Sequence, residues 1–250
     1  MVWMKETIDI LEYDGTLAGF YTVIDLSFRR HQFPAVVLNP TTTENNLFPP
    51  EWIKTDEKKA EKIARRLQEV LTPNNYVFLH DGFNTSLENK ETYLLHALHI
   101  GLDTKDNLQN FIGKPEILAL DTAVRALYGE AHQYKGFVRF EYVEDVLFAK
   151  ITPKHYCLPY ICPHFAKRYA NEKVMIYDET HQLLACLENG SYRLLENITL
   201  PKDKFLQGND IVGEQWRAFL AAVTIKERIN PSAQRNHLPL RFRSEMTEFQ

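Results

Sequence analysis

The chain has 250 residues, of which 44% are hydrophobic and 25% charged, which are ordinary proportions for a soluble globular protein large enough to bury a core. Its 29 Lys and Arg against 33 Asp and Glu give a net charge of -4, which argues against wholesale coating of nucleic acid but leaves room for a local basic site. Three cysteines make no disulfide framework, no apolar run approaches the roughly 20 residues of a membrane helix, and the N-terminus shows no basic stretch leading into an apolar one. The expectation is a cytoplasmic protein without a signal peptide and without a membrane partner.

Ile8 to Tyr13 alternates loosely and predicts an opening strand, Asp14-Gly15 a turn, and Thr16 a helix cap. Leu17, Phe20, Tyr21, Ile24 and Phe28 then recur at helical spacing down to Arg29-Arg30-His31, whose cations suit a helix C-terminus. Pro, Thr and Asn between Phe33 and Lys54 predict a loop with one extended piece, Ala35 to Leu38. Asp56 caps the next helix, with Ile63, Leu67, Val70 and Leu71 as its buried stripe. Asn74-Asn75 breaks it, and Tyr76 to His80 starts another short helical or extended element. A helix over Glu91 to Ile100 follows, and Pro115 opens a longer one with Ile117, Leu120, Val124, Leu127 and Tyr128 facing inward.

At Gly136 the pattern changes. Phe137 to Val143 and Val146 to Ile151 read as strands joined at Glu144-Asp145, and Leu158 to Tyr169 as a short helix. Lys173 to Asp178 and Gln182 to Glu188 form a second strand pair, and Asn189-Gly190 turns into a last strand, Ser191 to Leu195. The fold class is α+β: a mostly helical N-terminal half, then an antiparallel β-β-α-β-β-β sheet unit closed by a C-terminal helix and a basic arm. We expect a single domain over 1–250, helical over about 1–135, sheet over about 136–200, with the last helix and arm over about 210–250.

That arm follows the helix predicted for Ile211 to Thr224. It carries Lys226, Arg228, Arg235, Arg241 and Arg243 against the single acid Glu227, interleaved with Asn230, Gln234 and His237. Such residues can grip phosphates and base edges, or their Arg side chains can pair with acids elsewhere in the domain. His155-Tyr156-Cys157 with Cys162-Pro163-His164 offers zinc-type ligands. A helix would leave the two cysteines about 140° apart, so buried thiols are the better reading and no metal is expected. His132 sits before the strand that carries Arg139 on the face opposite Val138 and Phe140. Asp178 ends a strand, as a turn former or as a carboxylate facing a cleft, and His164 and Arg168 lie on the intervening helix; together these groups could line one pocket. Walker-type, dinucleotide, nucleophile-elbow and metalloprotease motifs are absent from the sequence.

Tyr13-Asp14-Gly15-Thr16, Glu130-Ala131-His132, Gly136 to Phe140, Ile151 to His155 with Leu158-Pro159, Pro163 to Tyr169, Ile176 to Glu179, Ile225 to Pro231 and Gln234 to Pro239 occur in that order. Together they resemble the bacterial domain-of-unknown-function family labelled probable DNA metabolism protein. Members of that family are encoded beside a radical-SAM protein assigned to DNA modification or repair, and some are fused to a uracil-DNA glycosylase-type domain. Cys157 and Cys162, and Arg243 in place of a tryptophan, depart from the pattern. The resemblance implies a nucleic-acid-binding accessory, with DNA, the radical-SAM protein and the glycosylase-type domain as partners and no cofactor of its own. Arg139, Arg168, Arg228, Arg235, His237 and Arg241 would meet phosphate or base, with Asn230 and Gln234 hydrogen-bonding. The alternatives are an enzyme using His132 or His164 as general acid or base oriented by Asp178, and a protein that only docks the radical-SAM partner.

Overall fold

A computed structural model describes residues 5–6, 9–40, 49–104, 106–200, 222 and 239–245. The chain divides into two compact units, Met1–Leu127 and Tyr128–Gln250. The helix predicted over Ile211 to Thr224 and the arm up to Leu238 lie outside the described residues, as do Arg228, Asn230, Gln234, Arg235 and His237.

The first unit opens with β1 (Lys5–Glu6), β2 (Ile10–Glu12), α1 (Leu17–Arg30), β3 (Gln32–Phe33), β4 (Val36–Leu38) and β5 (Glu51–Trp52). It continues with α2 (Glu57–Val70), α3 (Pro73–Phe83), α4 (Lys90–Asp103), a 3₁₀ turn at Leu108–Phe111 and the start of α5 (Pro115–Phe137). β2 lies between β4 and β5, parallel to both, and β1 runs parallel to β3. Strands this short show no alternation, which is why β5 falls where the sequence suggests a loop.

The turn ahead of α1 is built by Asp14. Its Oδ1 accepts from Thr16 N at 3.0 Å and Thr16 Oγ1 at 2.7 Å, and Oδ2 accepts from Thr55 Oγ1 at 2.6 Å. Burial alone would raise the Asp14 carboxyl, but the hydrogen bonds from Thr55 and Thr16 hold it below the usual range. Thr16 Oγ1 in turn accepts from Gly19 N at 2.9 Å and caps α1, worth about 1 kcal/mol. At the far end Arg29 pairs with Asp25, and Arg30 makes a two-pronged pair with Glu51 at 2.7 and 2.8 Å. Both cations thus have side-chain partners beyond the helix dipole.

Asp56 caps α2 as expected, and Ala60, Ile63 and Leu67 face the core. Val70 is exposed although it continues the stripe seven residues after Ile63, being the last residue of α2. Asn74-Asn75 does not break a helix but lies in the first turn of α3. Thr72 Oγ1 accepts from Asn75 N, Pro73 takes the position where its missing N–H costs nothing, and the Asn75 side chain bonds Asp106 O and Leu108 N. In the core the buried Glu91 carboxylate accepts from Tyr13 OH and Asn39 Nδ2, both at 2.8 Å.

The second unit holds the last turns of α5, then β6 (Glu141–Val143), β7 (Val146–Ile151), α6 (Leu158–Arg168), β8 (Val174–Asp178), β9 (Leu183–Glu188), β10 (Ser191–Leu195) and a 3₁₀ turn at Leu240–Glu245. Its sheet runs β10-β9-β8-β7-β6. The α+β class and the β-β-α-β-β-β order are as the sequence indicates, with Asn189 (φ 51°) and Gly190 (φ 72°) forming the last hairpin. The sheet is mixed rather than wholly antiparallel, since β7 and β8 pair in parallel, Leu147 opposite Val174 and Ile151 opposite Asp178. α6 is the reason: a helix between two neighbouring strands carries the chain back to the same end of the sheet. α5 also runs further than expected, to Phe137, so His132 lies within a helix and Arg139 just after one. Tyr128 is exposed rather than turned inward. Among the described residues no helix is long and apolar enough to cross a membrane.

Candidate functional site

Three groups of side chains in the second unit carry chemistry. The first centres on Glu130, buried on α5. Its Oε1 accepts from Lys154 N at 3.1 Å and its Oε2 from His155 N at 2.8 Å, which fixes the segment after β7. Arg241 Nη1 lies 2.9 Å from Glu130 Oε1, and Arg241 Nη2 donates to Gln133 Oε1 at 3.0 Å. The Arg241 guanidinium also covers the ring of Phe242, which is buried against Tyr134 and Phe137. Arg241 therefore anchors the 3₁₀ turn to an acid of its own domain. His155 beside it is buried, and burial lowers its pKa against the pull of Glu130.

The second group is Asp178 with His181. Asp178 is fully buried; its Oδ1 accepts from His181 N at 3.0 Å, and its Oδ2 lies 2.7 Å from His181 Nδ1. The backbone bond closes the turn between β8 and β9, so the turn-forming reading of Asp178 holds. The imidazole it orients is that of His181, three residues on, which the sequence reading passed over. Its ring meets the edge of Tyr156, whose phenol is pushed up to about 12 by burial, with Glu196 and Asp178 adding. With Nδ1 facing the carboxylate, Nε2 is the nitrogen left for other chemistry.

The third group is cationic and aromatic. His164 is exposed on α6, and its pKa is lowered by desolvation and then by the positive charges of Lys135 and Arg168. Lys167 and Arg168 occupy the last turn of α6, and Lys135 the last turn of α5. Helix dipoles favour cations at such ends. Lys135, Lys167 and Arg168 form no ion pair with any described residue. The Arg168 guanidinium lies over the Tyr169 ring, 5.6 Å from its centroid. Tyr169 is near-parallel to Phe165 at 6.3 Å and edge-on to Phe140 at 5.2 Å, and both Tyr169 and Phe140 are half-buried.

His164 and Arg168 thus share the last turns of α6, and the charge of Lys135, a residue the sequence does not single out, reaches His164 from α5. Arg139 is not on a strand face. It donates to the carbonyls of Gly136 and Phe137 at 3.2 and 3.3 Å, closing the end of α5, whose last carbonyls need donors. His132 is exposed on α5. Asp178 bonds His181 rather than His132 or His164. Cys157 and Cys162 are buried; burial pushes the Cys162 thiol up to about 12 and raises that of Cys157 too. Among the described residues no group of three or more His, Cys, Asp or Glu is placed to hold a metal ion, so the zinc-type pattern is not assembled there. A family model described as domain of unknown function DUF4130 matches residues 88–248. No curated protein matches the chain.

Proposed function

We propose, from the premise that the chain belongs to the domain-of-unknown-function family DUF4130, that it is a nucleic-acid-binding protein of DNA metabolism, accessory to a radical-SAM repair enzyme or a uracil-DNA glycosylase. The exposed Arg168 guanidinium over the half-buried Tyr169 ring, with the charge of Lys135 also reaching His164, carries this reading. A cationic surface favours an anion, and a polyanion with stacking surfaces is the anion that suits rings as well as cations. The resemblance to the DNA metabolism family supports the choice of DNA and of partners. Arg228, Arg235 and His237 extend the same basic chemistry along the sequence, with Asn230 and Gln234 as hydrogen-bonding neighbours.

The test is binding of labelled oligonucleotides, with and without uracil, by the whole protein at low and physiological salt. Affinity should fall steeply with salt, and in Lys135→Ala/Arg168→Ala the salt slope should shrink by roughly 1 to 2. A pH series adds a sign. His164 titrates below its ordinary value, so at pH 7 it is neutral; the bound phosphate favours the imidazolium, so binding should tighten as pH falls towards that lowered value and level off below it. His164→Gln should abolish that rise. Affinity indifferent to salt and to both variants would remove the nucleic-acid role and leave docking to the radical-SAM protein.

One observation favours a second reading, an enzyme acting on nucleic acid: the 2.7 Å approach of a fully buried Asp178 carboxylate to the His181 imidazole. Such a carboxylate fixes the tautomer and leaves Nε2 to accept a proton. Turnover of a modified oligonucleotide by the protein alone, lost in His181→Gln, would establish it.

A further inference from the structure

Resting on the nucleic-acid reading above, we infer that the patch selects single-stranded nucleic acid, with an unpaired base stacking on the Arg168–Tyr169 pair while Lys135 and His164 hold the flanking phosphates. The geometry points to this in two ways. Phe165, Tyr169 and the Arg168 guanidinium form a series of planar groups: Phe165 and Tyr169 lie 17° apart in plane, and Arg168 covers the Tyr169 ring. Phe165 is buried, Tyr169 half-buried and Arg168 exposed, so the series runs from the core to the surface and ends in a planar cation. A guanidinium plane backed by an aromatic ring is a surface on which any base can stack.

The second point is that the described residues of the patch suit a single strand better than a duplex. Bases in a duplex are already stacked and present only their edges, which are read from a groove by a projecting helix or ribbon. Here the cations sit in the last turns of α5 and α6, and Arg168 lies over a ring. A flexible single strand can lay phosphates on Lys135 and His164 and turn one base onto Arg168; a rigid duplex would meet the cations and leave the planar series unused.

The experiment compares one labelled deoxythymidine oligomer with the duplex made from it and its complement, using the full protein, Arg168→Lys and Tyr169→Leu. The wild type should bind the single strand about tenfold more tightly than the duplex. Arg168→Lys keeps the charge but loses the plane, so it should lose that preference while keeping the salt slope. Tyr169→Leu should do the same, and the circular dichroism of both variants reports that they fold. Equal binding of duplex and single strand, or a preference retained in Arg168→Lys, overturns the single-strand inference while leaving nucleic-acid binding in place. No binding of either oligomer overturns both.

Discussion

Replacing Glu130 by alanine should destabilise the protein by about 2–4 kcal/mol in urea denaturation followed by circular dichroism. The cost does not come mainly from the Arg241 pair, because that guanidinium is half-exposed and can return to water. It comes from the N–H groups of Lys154 and His155, which share Glu130 as acceptor; the bond to His155 is buried, and no water is at hand to replace it. Glu130→Gln retains an acceptor and should lose less. Arg241→Ala should lose less still, since it leaves both backbone bonds intact. If Arg241→Ala costs as much as Glu130→Ala, the ion pair and not the backbone anchoring is the stabilising part.

Gly19→Ala is the second large effect, and its sign is opposite to what helix propensity gives. Alanine in a helix normally gains about 1 kcal/mol over glycine. At Gly19 a Cβ would overlap Asp14 Oδ1 and stand 2.8 Å from the Tyr13 ring and 2.9 Å from Thr55 Oγ1. Asp14 cannot swing aside without giving up its bonds from Thr16 and Thr55. The net expectation is a loss of about 1–2 kcal/mol, the crowding outweighing the propensity gain. Gly129 in α5 is the control: a Cβ there meets nothing within 4 Å, so Gly129→Ala should stabilise by about 0.5–1 kcal/mol. Equal effects at the two positions, read as shifts of the thermal midpoint, would show that Asp14 is not held as described.

Local chemistry was readable from the sequence wherever cause and effect lie within a few residues. Thr16 and Asp56 cap the helices assigned to them, the Ile63 and Leu67 stripe is buried, and Asn189-Gly190 turns the last hairpin. The end of α5 was misjudged because Phe137-Val138-Arg139-Phe140 alternates like a strand; Ala131 and Tyr134 instead carry the buried stripe on, and Phe137 packs on Phe242, far along the chain. The parallel pairing of β7 and β8 had a signal, a helix of α6's length between neighbouring strands. The Glu130 anchor and the reach of the Lys135 charge to His164 had none, since both depend on residues distant in sequence. His181 did leave a trace: an Asp three residues before it at a strand end is a turn signature, and a His there comes within reach of the carboxylate.

The parallel β7–β8 pair also bears on how the second unit comes together. Antiparallel neighbours such as β8 and β9 can zip outward from a short turn, so their closure is quick. β7 and β8 have no such start, because the intervening segment must first be gathered up, and a collapsed α6 does that gathering. The rate-limiting step should therefore be the settling of α6 onto the sheet, where it packs on β9 and β10, together with the pairing of β7 to β8. Ile176→Val, in the centre of the parallel pair, would then slow refolding more than it speeds unfolding, which stopped-flow kinetics of the variant would read directly.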